Sequence, residues 1–152
     1  MSQEMDPDLP LAVTLHVRDR CLCLQVQRAA RALARRFDLA LKPVGMTNGQ
    51  FSLMMALNRP DPPRLTDLAP FLAMDRTTVT AAVRVLEKRG WVQSVADPED
   101  GRIRRLALTK AGQGALKRAL PVWQRTHDEV DAGLSGGDVA GLRQGLGRLA
   151  EG

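Results

Sequence analysis

Two stretches of this 152-residue chain gather the side chains whose types and spacing could do chemistry. The first lies between Asp75 and Lys88. At 3.6 residues per turn, Val79, Val83 and Leu86 fall on one stripe, and Thr77, Ala81, Arg84 and Lys88 fall on the opposite one, with Thr80 beside it. Hydroxyl and guanidinium groups hydrogen-bond phosphates and base edges, and a small residue such as Ala81 lets a helix approach a groove closely. Arg76 stands at the start of this segment, where free backbone N–H groups and the helix dipole favour a phosphate. The second stretch is Asp97-Pro98-Glu99-Asp100-Gly101-Arg102, followed by Arg104 and Arg105. Arginine near the tip of an extended β-arm can enter a narrow minor groove, and Asp100 is placed to hold the Arg102 guanidinium. Taken singly, the two stretches also describe a solvated helix face and a charge-balanced turn whose carboxylates Asp97, Glu99 and Asp100 are exposed. Their succession along the chain tells against that.

The elements that must position these groups are mostly helical. Residues 1–12, with Glu4, Asp6, Asp8, Pro7 and Pro10, read as an acidic arm. A long helix is expected over about 14–42, with Leu15, Leu22, Val26, Ala29, Leu33, Phe37 and Ala40 on one stripe and Arg20, Arg28, Arg31 and Arg35 opposite. Pro43 and Gly45 end it. Thr47 and Gln50 form a capping box for a second helix to about Asn58, and Arg59-Pro60-Asp61-Pro62-Pro63 is a loop. A short helix follows over about 65–72, in which Pro70 is tolerable only near the first turn. Asp75 caps the next helix, which stops at Gly90. Trp91–Ala96 and Ile103–Leu108 read as a hairpin. Thr109 caps a long helix to about Gly133 with a kink expected at Pro121, and Ser135 caps a last one to about Leu149. The fold class is therefore mainly α with a small β-hairpin wing: a winged helix-turn-helix.

Read in this order, the run Leu68-Ala69, Asp75-Arg76-Thr77-Thr78-Val79-Thr80, Leu86-Glu87, Gly90, Asp100-x-Arg102 and Leu108-Thr109-x-x-Gly112 resembles the multiple-antibiotic-resistance regulator (MarR) family. The resemblance implies a homodimer whose first, fifth and sixth helices interlock, with long N- and C-terminal dimerisation helices. It divides the chain into an arm (1–12), an N-terminal dimerisation helix (13–45), a DNA-binding winged helix-turn-helix (46–109) and C-terminal dimerisation helices (110–152). It further implies a repressor of nearby genes that binds pseudo-palindromic double-stranded DNA and is released by a small ligand or by cysteine oxidation. By position, Arg76, Thr77, Thr78, Thr80 and Arg84 would contact groove and phosphates and Arg102 would be the minor-groove finger; Lys88 and Arg104 join them from the charge pattern. Ser94, Gly101 and Pro70 depart from the family pattern at the wing and in the short helix.

The remaining signals narrow the class. Net charge is +5, which suits a polyanionic partner. Nothing spans a membrane, the start lacks an apolar signal core, and Cys21 and Cys23 make no disulfide framework, so a reducing cytoplasm is expected. No Gly-rich phosphate loop, Gly-x-Ser-x-Gly or His-Glu-x-x-His is present, so no enzyme is expected, and no cofactor. Cys21 and Cys23 lie in an electropositive setting beside Arg18, Arg20 and Arg28 and are candidate redox sensors. In a regular helix they point apart and cannot pair with each other. With His16 they form no ligand spacing for a metal. Trp123 and His127, one turn apart, are interface packing or the wall of a pocket for a small aromatic ligand. The competing class is a helical interaction module that reuses the fold without specific DNA binding.

Overall fold

The computed structural model describes residues 3–152; the first two residues of the acidic arm lie outside it. Two compact units are present, one up to Arg36 and one from Phe37 to Gly152.

In the first unit residues 3–12 of the arm are exposed and contain a turn in which Asp6 Oδ1 accepts from the Asp8 N–H at 2.8 Å. The single long helix expected over 14–42 is instead two, α1 (Leu11–Arg20) and α2 (Leu22–Leu41), separated by Cys21 with ψ 101°. The break falls where the apolar pattern changes period. Leu11, Val13, Leu15 and Val17 alternate, which scatters apolar groups around a helix, whereas Leu22, Val26, Ala29 and Leu33 keep one face. The Cys21 thiol accepts from the Leu24 N–H at 3.4 Å, and the Gln25 amide donates to the Asp19 carbonyl freed by the break at 3.0 Å.

The second unit holds the core. The end of α2 leads through a short 3₁₀ turn (Lys42–Val44) to α3 (Asn48–Leu57), whose capping box from Thr47 and Gln50 is in place. Then come α4 (Leu65–Phe71), α5 (Arg76–Lys88), β1 (Val92–Ala96), β2 (Arg104–Leu108), α6 (Lys110–Gly133) and α7 (Val139–Glu151). The strands pair antiparallel, Val92 opposite Leu108 and Ala96 opposite Arg104. Leu41, Phe51, Met54, Leu57, Leu68, Val79, Val83, Leu86, Leu106, Leu116 and Ala119 pack into one apolar cluster.

Two details differ from the sequence reading. Pro70 sits in the last turn of α4 rather than the first. A helix of seven residues loses one internal hydrogen bond to it, and the chain closes beyond it with Met74 N–H on the Ala69 carbonyl (3.0 Å). The last helix is capped by Asp138, whose Oδ1 accepts from the Gly141 N–H at 2.8 Å, not by Ser135; Gly136, at φ 93°, keeps residues 135–137 out of the helix. As expected, α6 runs as one helix from Lys110 to Gly133 with Pro121 inside it. Among the described residues no helix is long and apolar enough to cross a membrane.

Candidate nucleic-acid interface

The site is built on α4 and α5. The tight turn between them passes through Ala73, a non-glycine residue at φ 51°. Asp75 then caps α5: its carboxylate accepts from the Thr78 N–H (2.8 Å) and hydroxyl (2.5 Å), and these bonds hold it below the usual carboxylate pKa. Val79, Val83 and Leu86 are buried and fix the rotation of the helix, which leaves Arg76, Thr77, Ala81, Arg84 and Lys88 exposed. Among the described residues none of Arg76, Arg84 and Lys88 has an ion-pair partner. The three threonines differ. Thr78 serves the cap, and Thr80, half-buried, donates to the Arg76 carbonyl at 2.7 Å, so both hydroxyl protons are committed. The Thr77 hydroxyl has no intrachain partner among the described residues. Gly90, at φ 73°, ends the helix, and Arg89 lies over the Trp91 ring, 3.5 Å from its centroid.

The wing carries its arginines in three different ways. Arg102 projects from the tip, its side chain 92% exposed, and Asp100 accepts from its backbone N–H (3.0 Å) and its Nε (3.2 Å). Arg104 lies back along the ribbon, donating to the Ser94 hydroxyl (2.9 Å) and carbonyl (2.8 Å). Arg105 turns inward onto Asp97 at 2.6 Å. Asp97 is thus no exposed member of a solvated turn: its side chain is 1% exposed, and Arg105 first, then the Glu99 N–H, lower its pKa to about 2. The pairing of Asp97 with Arg105 and Arg64 spans 8 and 33 residues, and no local pattern announces it.

Trp123 and His127 do meet, with ring centroids 4.8 Å apart, in a cluster with Phe37 and Phe51. Trp123 lines a surface groove of about 380 Å³ together with Phe51, Met55, Phe71, Leu72 and Leu120; His127 is not on that wall and contacts Asp131 at 3.5 Å instead. Cys21 and Cys23 are free thiols, Cys21 half-buried and Cys23 exposed. Because Cys21 is the break between two helices, the regular-helix geometry that would keep the two thiols apart does not hold there.

A helix-turn-helix with a basic outer face, followed by a ribbon with an exposed arginine at its tip, defines a winged-helix DNA-binding regulator. The MarR family pattern matches residues 46–103. A structure of the M. tuberculosis transcriptional regulator MosR in complex with DNA is 35% identical and superposes with a TM-score of 0.77, covering 87% of this chain and 95% of that one. The HTH-type transcriptional regulator YwoH of Bacillus subtilis is 30% identical over 62% of this chain and 69% of its own. The transcriptional activatory protein BadR of Rhodopseudomonas palustris is 30% identical over 78% of this chain and 70% of its own. The chain belongs to the MarR family and is a DNA-binding transcriptional regulator.

Proposed function

We propose that the chain acts in the cytoplasm as a homodimer on a pseudo-palindromic duplex site, with α5 in the major groove and the wing in the adjacent minor groove, and that it works as a repressor. The observation that carries this reading is the outer face of α5: Arg76, Arg84 and Lys88 exposed and unpaired beside a free Thr77 hydroxyl. In this reading Arg84 and Lys88 neutralise phosphates and Thr77 reads a base edge. Thr78 and Thr80 offer methyl groups, Arg104 supports the ribbon and Arg102 enters the minor groove. The chemistry is recognition rather than catalysis. Homodimerisation is supported by Leu15, Leu22, Val26 and Leu33 in the first unit and Leu142, Leu146 and Leu149 on α7, all exposed. Release falls to a small aromatic ligand in the groove walled by Trp123 or to oxidation of Cys21 and Cys23.

Titrating a duplex that carries a site selected by the wild-type protein, at increasing salt, tests the assignment. Arg84→Ala and Lys88→Ala should each flatten the salt dependence by about one counterion, and Arg102→Ala should weaken specific binding without unfolding the protein. Thr77→Ala should change the preference among site variants. Unchanged binding in all four variants would show that the surface lies elsewhere. Repeating the titration after peroxide, with Cys21→Ser and Cys23→Ser alongside, separates thiol release from ligand release.

A further inference from the structure

An exposed guanidinium at the end of a two-stranded ribbon reaches a fixed place only if the ribbon itself is held, because an isolated hairpin is marginally stable. Here the hold converges on one carboxylate. Asp97 directly follows β1, and its two oxygens do different work. Oδ2 accepts from Arg105 Nε on β2 (2.6 Å) and from Arg64 Nη2, in the residue that precedes α4 (3.4 Å). Oδ1 accepts from the backbone N–H groups of Glu99 (2.9 Å) and Asp100 (3.3 Å), and so shapes the turn whose Asp100 holds Arg102. Arg105 extends the lacing, donating to Asp61 Oδ1 (3.0 Å) and to the Pro62 carbonyl (2.8 Å), and the Leu106 N–H donates to the Pro63 carbonyl (2.9 Å). One buried group thus joins the wing tip, the second strand and the loop that leads into the helix-turn-helix.

We propose that Asp97 is a positioning residue for DNA binding: it clamps the wing to the 61–64 loop and sets the turn that aims Arg102, so that wing and α4–α5 meet DNA as one rigid surface. The proposal rests on the reading of Arg102 as the minor-groove contact, and a double-mutant cycle keeps the two apart. Asp97→Asn preserves shape and can still accept backbone N–H groups, but it withdraws the charge that holds Arg105. Binding of the full-length protein to the selected duplex is measured by fluorescence anisotropy for the wild type, D97N, R102A and D97N/R102A. Thermal unfolding is followed on the same samples.

Arg102→Ala should weaken binding about tenfold or more, and Asp97→Asn by a similar factor. The double variant should be no weaker than R102A alone, because a residue that acts through Arg102 has nothing left to aim once Arg102 is gone. A stability effect alone would not produce that cancellation. Wild-type affinity of D97N, or losses that multiply in the double variant, would overturn the clamp while leaving Arg102 in its role. Wild-type affinity of R102A would overturn the reading of Arg102 and the clamp with it. Should D97N fail to fold, Arg105→Lys carries the same cycle: it keeps the positive charge but lacks the planar fork that presents Nε to Asp97 and Nη1 to Asp61 and the Pro62 carbonyl. The same cancellation is expected, and wild-type affinity of R105K would overturn the proposal.

Discussion

Gly112 shows how much one missing carbon can decide. Its N–H donates to the Thr109 hydroxyl that caps α6, at 3.0 Å, and an added Cβ would run into the Trp91 carbonyl, whose oxygen in turn accepts from the Thr109 N–H. Helix propensity alone favours alanine here by about 1 kcal/mol. Collision with a backbone atom outweighs it, since overpacking costs about 1–3 kcal/mol. Gly112→Ala should therefore lower stability to urea; a gain would mean that α6 starts elsewhere. Asp97 makes a second prediction. Its pKa in the folded chain, about 2, lies below the ordinary 3.8. The stabilisation it contributes is complete above that ordinary value and is lost as pH falls from about 4 through about 2. Unfolding free energies measured down this range should fall more steeply for the wild type than for Asp97→Asn; parallel curves would deny the carboxylate its role.

Among the elements, the α4–α5 turn is the most exposed to a single substitution. Ala73 sits at φ 51°, a left-handed conformation that costs an L-residue about 1–2 kcal/mol. Glycine removes that strain and returns part of the gain as unfolded-chain entropy, about 0.4–1 kcal/mol. Ala73→Gly should thus stabilise by a few tenths to about 1 kcal/mol in denaturant unfolding, and a clear loss would show that the turn is not strained. The helices of the DNA-binding region were legible because their signals are local: Thr47 with Gln50, Asp75 with Thr78 and Thr109 with Gly112 each close a cap within three residues. The break at Cys21 was not, because a thiol accepting at 3.4 Å is no sequence signature of a cap. Nor was the burial of Asp97, which depends on Arg64, 33 residues away. The outer face of α5 was readable from its period, but the committed hydroxyls of Thr78 and Thr80 emerged only with the backbone in place.

At the scale of the whole molecule, α1 has no buried residue and is ten residues long, too short to persist unsupported in water. Together with the exposed leucines of α7, it supports the proposed homodimer. Sedimentation at micromolar concentration should give about twice 16.6 kDa, and a folded monomer would refute the dimer. In such a dimer, half-sites should lie about 10 base pairs apart, so inserting about five should abolish specific binding, and unchanged affinity would mean independent monomers. The chain also has no tyrosine and only two tryptophans, and each stands at a different working part. Trp91 lies under Arg89 where α5 meets the wing, and Trp123 stacks on Phe51, 5.8 Å between centroids, in the wall of the apolar groove. Intrinsic fluorescence is therefore two separable optical channels without phenolic background: Trp91→Phe leaves a probe of the groove, and Trp123→Phe leaves a probe of the wing root. The protein carries its own dyes for following duplex binding at the wing root and, separately, occupancy of the groove, with no label attached.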